Sequence, residues 1–103
     1  MSVFAKRLKE ARKAAGLTQE KLGVLAGVDE MSASARMNQY ERGKHAPDYS
    51  IVERIAGILN LPTTHFFASD DSEAKLLVAY HRLDGDDKAR LLSQAMEMIG
   101  EKN

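Results

Sequence analysis

There is no cysteine in this chain, so disulfide staples, thiolate nucleophiles and thiolate metal sites are excluded, and the composition agrees with a reducing compartment. Long apolar runs are missing too. None approaches the roughly 20 residues that a membrane helix needs, and the opening MSVFAKRLKEARK turns charged too early for a secretory signal. A soluble, unprocessed, cytoplasmic protein that does not enter a membrane is the expectation. No segment alternates apolar and polar residues at a convincing period of two, so an all-α chain is expected. His45, His65 and His81 fall in three different segments, with no carboxylate or second histidine at ligand spacing. Neither a Gly-x-Ser-x-Gly elbow nor a phosphate-cradling glycine loop is present. No metal, no cofactor and no enzyme activity are expected.

What is there is charge of uneven distribution. The 103 residues carry no net charge, but residues 1–68 hold ten Lys/Arg against seven Asp/Glu, whereas residues 69–103 hold five against eight. A surplus of +3 in the first part and of −3 in the second either points to an acidic partner for the first part alone or falls within the ordinary scatter of charge along a chain.

Apolar periodicity and punctuation divide the chain into helices. Val3, Phe4, Leu8, Ala11 and Ala15 recur at helical steps over residues 3–15, and Gly16 supplies a stop. Thr18 is a good N-cap for a short second helix with Leu22, Leu25 and Ala26 as its buried stripe, ended by Gly27. Gly23 inside it costs about 1 kcal/mol against alanine, which close approach of another helix would justify. A third helix ends at Gly43. Asp48 then caps a fourth, which carries Tyr49, Val52, Ile55, Ala56 and Leu59 inward, and Pro62-Thr63 starts a last short turn with Phe66 and Phe67. From Ser69 a solvated connector leads to a helix with Leu76, Leu77, Tyr80 and Leu83 on one side. A turn at Asp84-Gly85 follows, and then a final helix capped by Asp86 or Asp87 with Leu91, Leu92, Ala95, Met98 and Ile99 as its stripe. Neither of the last two helices can bury its stripe alone; they serve either as a dimerisation element or as a lid over the core.

The third helix is unusual in its side chains. Projected at 100° per residue, Ala33, Met37 and Tyr40 form a narrow apolar seam, and Ala35, Asn38, Gln39 and Arg42 face the other way. A merely solvated face favours Glu and Lys, yet residues 32–40 contain neither. Small and amide side chains suit a helix that must enter a groove, since Asn or Gln can pair with an adenine edge and Arg with a guanine edge.

The run GLTQEKLGVLAGV followed by MNQYERGKHAPDYSIVERIAGILNLP resembles the phage repressor and Cro type of helix-turn-helix domain, the Xre-like family, over residues 3–67. The matching features are Leu17-Thr18-Gln19, Leu22, Tyr40-Glu41-Arg42-Gly43, Pro47 and the Arg54-Ile55-Ala56 helix ending in Leu61-Pro62. The resemblance implies a five-helix repressor-like (lambda repressor-like) DNA-binding domain over residues 1–68, and the change of composition at Ser69 sets residues 69–103 apart as a C-terminal helical extension. It implies that Ser34, Ala35, Arg36 and Gln39 face bases, which the projection shares for Ala35 and Gln39 and extends to Asn38. It also implies that Gln19 touches a phosphate and that Arg12 pairs with Glu41 beneath the DNA-reading surface. Arg42, Lys44 and His45 follow the helix in a loop suited to flanking phosphates. One departure is an insertion, Asp29-Glu30-Met31-Ser32, beyond the usual spacing: either the turn before helix 3 is longer or the helix starts a turn early, with the acidic pair turned away from phosphate or capping the helix. The expected function is that of a sequence-specific double-stranded DNA-binding transcriptional regulator, a repressor acting as a homodimer at an operator. The alternative is a protein-interaction module, such as the antitoxin of a toxin–antitoxin pair, that engages a protein partner through its C-terminal helices.

Overall fold

Side-chain caps start most of the helices of this all-α chain, whose computed structural model describes residues 2–100. The Ser2 hydroxyl accepts the Ala5 N–H at 3.1 Å and opens α1 (Val3–Ala14). Thr18 does the same for α2 (Gln19–Leu25) through the Lys21 N–H at 3.0 Å, and Asp29 for α3 (Glu30–Glu41) through the Met31 N–H at 3.1 Å. These oxygens satisfy backbone donors that the first turn leaves without partners. Asp48 precedes α4 (Tyr49–Leu59) but makes no side-chain cap bond, and Asn60 ends that helix in the left-handed conformation, φ 53°. The next element, Thr63–Phe67, is a 3-10 turn rather than a fifth α-helix. Asp70 then caps α5 (Asp71–Arg82), and Asp84 caps α6 (Gly85–Met98). The last cap corrects the expectation of Asp86 or Asp87: Asp84 accepts the Asp87 N–H at 2.8 Å, so Gly85 belongs to the helix and not to a turn.

Leu8, Leu22, Met37, Ile55 and Phe66 are the large side chains buried completely, one from each of α1–α4 and one from the 3-10 turn. Ala26, Tyr40, Val52 and Ala56 complete the core. Phe4 closes one side, its ring 5.7 Å from those of both Phe66 and Phe67. Leu25 is exposed, contrary to its place in the expected stripe, because Gly23 takes the buried side of α2. A Cβ built on Gly23 would lie 2.9 Å from the Ala33 Cβ and 3.2 Å from the Ala33 carbonyl oxygen, so α3 crosses α2 where α2 has no side chain. Tyr49 and Phe67 are exposed as well.

The two C-terminal helices behave differently from one another. α5 is fastened to the preceding elements at both ends. Arg7, only 6% exposed, donates to the carbonyls of Ala68 and Ser69 and pairs with Asp71 at 3.0 Å. At the other end Arg82 donates to the carbonyl of Asn60 at 3.1 Å. Between them Ala74 is buried and its carbonyl lies 3.5 Å from the His65 Nδ1. The docked face of α5 is therefore Asp71, Ala74 and Arg82, whereas Leu76 of the expected stripe is exposed and Tyr80 lies away from that face, against α6. α6 buries no residue, touches α5 where the Lys88 ammonium sits over the Tyr80 ring at 5.4 Å, and helps stretch the chain to 53 × 27 × 22 Å.

Candidate nucleic-acid interface

The helical rise sets out the surface of α3. Met31, Ala35, Asn38 and Arg42 recur at steps of i, i+4, i+7 and i+11 and form one exposed line, flanked by Ser34 on one side and Gln39 on the other. Ala33, Met37 and Tyr40 occupy the opposite side and are buried. Arg36 is exposed but lies about 140° round the helix from Met31 at 100° per residue, next to Tyr40 rather than among the amides. So Ser34, Ala35, Asn38 and Gln39 share a face, and Arg36 stands at its margin. Residues 30–32, within the stretch expected as an insertion, belong to α3 itself. Helix starts at Glu30, and the Asp29 carboxylate is engaged with the helix N-terminus.

Beneath this face lies a polar cluster that fixes its position. Glu41, 3% exposed, receives the Arg12 guanidinium at two points, Nε to Oε2 at 2.6 Å and Nη2 to Oε1 at 3.1 Å. The remaining guanidinium nitrogen of Arg12 donates to the Leu17 carbonyl at 2.9 Å. Gln19 closes the cluster, its amide nitrogen donating to Glu41 Oε1 at 3.1 Å and to Asn38 Oδ1 at 3.3 Å. The first residue of α2 thereby orients an exposed amide of α3. Both donors of the Gln19 side chain are thus directed at protein atoms, and a phosphate contact through it requires breaking one of these bonds.

Past the end of α3, Arg42, Lys44 and His45 are exposed, and the loop is pinned by the Lys44 N–H donating to the Gln39 carbonyl at 3.0 Å. Three charged residues that sequence reading did not single out for structural roles also shape the molecule. Arg7 ties α1 to α5, Arg82 ties α5 to the end of α4, and Arg54 of α4 donates to the Ala26 carbonyl at 3.3 Å. Arg54 thereby places its charge at the negative end of α2, and its Nη1 would lie 2.7 Å from a Cβ at Gly27, whose φ of +90° already favours glycine. No sequence signal marks such partners, since each bond spans more than twenty residues and ends on a backbone carbonyl.

His65 and Asp71 carry the perturbed acid–base behaviour of the molecule. Burial, above all, holds the His65 imidazole below its ordinary value of 6.5, aided by Arg7 and Arg82 and opposed by the Ala74 carbonyl and Glu10. The bond from Arg7 holds the Asp71 carboxyl below the usual carboxylate value of 3.8. Both groups lie at the seam between α5 and the earlier elements, away from α3. Among the described residues no group of three or more His, Asp or Glu side chains is placed to hold a metal ion, and no helix is long and apolar enough to cross a membrane.

This geometry has relatives. The model of the helix-turn-helix domain matches residues 3–66, and the chain belongs to that family. The crystal structure of the transcriptional regulator BswR is similar over nearly the entire length, with 39% sequence identity, a TM-score of 0.81 and coverage of 97% of this chain and 100% of that one. At that coverage α5 and α6 are part of the shared architecture. No match is found among curated proteins.

Proposed function

We propose that the protein is an Xre-like, sequence-specific double-stranded DNA-binding transcriptional regulator that represses by occupying an operator as a homodimer in the cytoplasm. The observation that carries this reading is the exposed line of small and amide side chains on α3, held rigidly from below by the Arg12–Glu41 pair and the close crossing at Gly23. Membership of the helix-turn-helix family and likeness to a transcriptional regulator support it. Ser34, Ala35, Asn38 and Gln39 face base edges in the major groove, and Arg36 reaches in from the margin with its longer side chain. Gln19, Arg42, Lys44 and His45 take the flanking phosphates, Gln19 by giving up its bond to Asn38 and so releasing that amide for a base. Residues 1–68 form the DNA-binding unit, and residues 69–103 supply the dimer contact. Support for the latter comes from α6, none of whose residues is fully buried within its own chain, and from Leu76, exposed on the outer side of α5.

Selection of bound sequences from random duplex DNA, followed by a salt titration, tests the proposal. A palindromic site and an affinity that falls steeply with ionic strength are expected. Gln39→Ala costs about 1–3 kcal/mol and relaxes preference at one base pair, whereas Lys44→Ala weakens every sequence alike. Equal loss on all sequences for Gln39→Ala contradicts its assigned role. The second reading, a protein-interaction module of the antitoxin kind, is favoured by the same exposed apolar residues in a segment of net charge −3. Co-purification of a small basic protein, with function retained after mutation of Arg36 and Gln39, is the outcome that supports it.

A further inference from the structure

We infer that Met31 is a specificity-determining residue that reads the 5-methyl group of thymine, an inference that rests on the DNA-binding reading above. Met31 is 92% exposed, more than any other large apolar side chain among the described residues. It is not a core residue displaced by chance, because Ala33 and Met37 already fill the buried side of α3 and the side chains next to it on the outer face, Ser34 and Ala35, are too small to cover it. It heads the exposed line that continues through Ala35, Asn38 and Arg42. Helical side chains lean toward the N-terminus, so at the second position of α3 its thioether overhangs the end of the helix that leads into a groove.

The charges around it narrow what it can meet. Asp29, whose carboxylate accepts the Met31 N–H, and Glu30 immediately precede Met31 at the start of α3, and their charges oppose a phosphate at that point. The tip of the helix is therefore suited to base edges rather than to the backbone. In the major groove the one apolar feature of those edges is the thymine methyl, and a flexible, polarizable, unbranched side chain can follow it without exact fit. The stretch expected as an insertion thus adds a reader to the interface instead of merely lengthening a connection.

The test starts from the duplex selected by the wild-type protein. Each thymine of that site is replaced in turn by deoxyuridine, which lacks the methyl, and binding is measured for wild type, Met31→Ala and Met31→Leu. Removing the critical methyl weakens wild type by about fourfold, the value of burying one such group. It leaves Met31→Ala nearly unaffected, while Met31→Leu retains the sensitivity. Equal sensitivity of wild type and Met31→Ala at every thymine overturns the inference, as does indifference of wild type to all of them. A uniform loss for Met31→Ala on every sequence, or a change in its oligomeric mass, also overturns it, by assigning Met31 a generic or subunit contact. Failure of wild type to select any sequence removes the DNA-binding reading itself, and that result is distinct because it precedes the deoxyuridine step.

Discussion

Glu41 sits where three helices converge, taking two bonds from α1 and one from α2 while ending α3. Desolvating a carboxylate there is costly, and the two-point contact with Arg12 offsets that cost only while both partners are present. Arg12→Ala, which leaves the Glu41 charge buried and unpaired, should destabilise the fold by about 3–5 kcal/mol, measured as a urea unfolding midpoint. The double variant Arg12→Met with Glu41→Leu should recover most of that loss, since an apolar pair of similar bulk removes the penalty. Sequence showed this pair through its resemblance to a family, and it showed the outer face of α3 through periodicity and the lack of Glu and Lys. It did not show Arg7 or Arg54. A basic residue in an amphipathic helix reads as a solvated one unless its partner is known, and here the partners are carbonyls remote in the chain.

Between elements, the crossing of α2 and α3 depends on a missing side chain. Gly23→Ala gains helix propensity, but its methyl group would sit 2.9 Å from the Ala33 Cβ and 3.0 Å from the Met37 Cγ. The overpacking should dominate and cost about 1–3 kcal/mol, seen as a lower Tm. The docking of α5 should weaken in acid. With the folded His65 held below 6.5, a detached or unfolded chain binds a proton first as pH falls, so the contribution is complete above that value and declines below it. Asp71 acts in the same direction at lower pH, because its contribution is present above 3.8 and is lost as pH falls through its depressed folded value. Unfolding midpoints taken down a pH series should drop first near the histidine range, and His65→Gln should abolish that first drop. Helix existence was readable here and helix orientation was not. The apolar stripe of α5 was visible in sequence, but Leu76 turned outward and Tyr80 toward α6 because small Ala74 allows closer approach and Arg82 supplies the fastening.

For the molecule as a whole, an excess of basic residues before Ser69 and of acidic ones after it favours a polyanion partner for the first part and disfavours one for the second. On the proposed reading, the acidic segment carries the subunit contact. Leu92→Glu, at an exposed position of α6, should halve the mass seen by sedimentation while leaving helicity unchanged. Clamping α5 at both ends, by Arg7 and by Arg82, bears on which sites such a dimer can occupy. A reading head fixed against α5 favours one rotational phase on the double helix wherever the subunit contact includes α5. Spacers lengthened by about five base pairs, half a turn, should therefore defeat binding, and spacers lengthened by about ten should largely restore it.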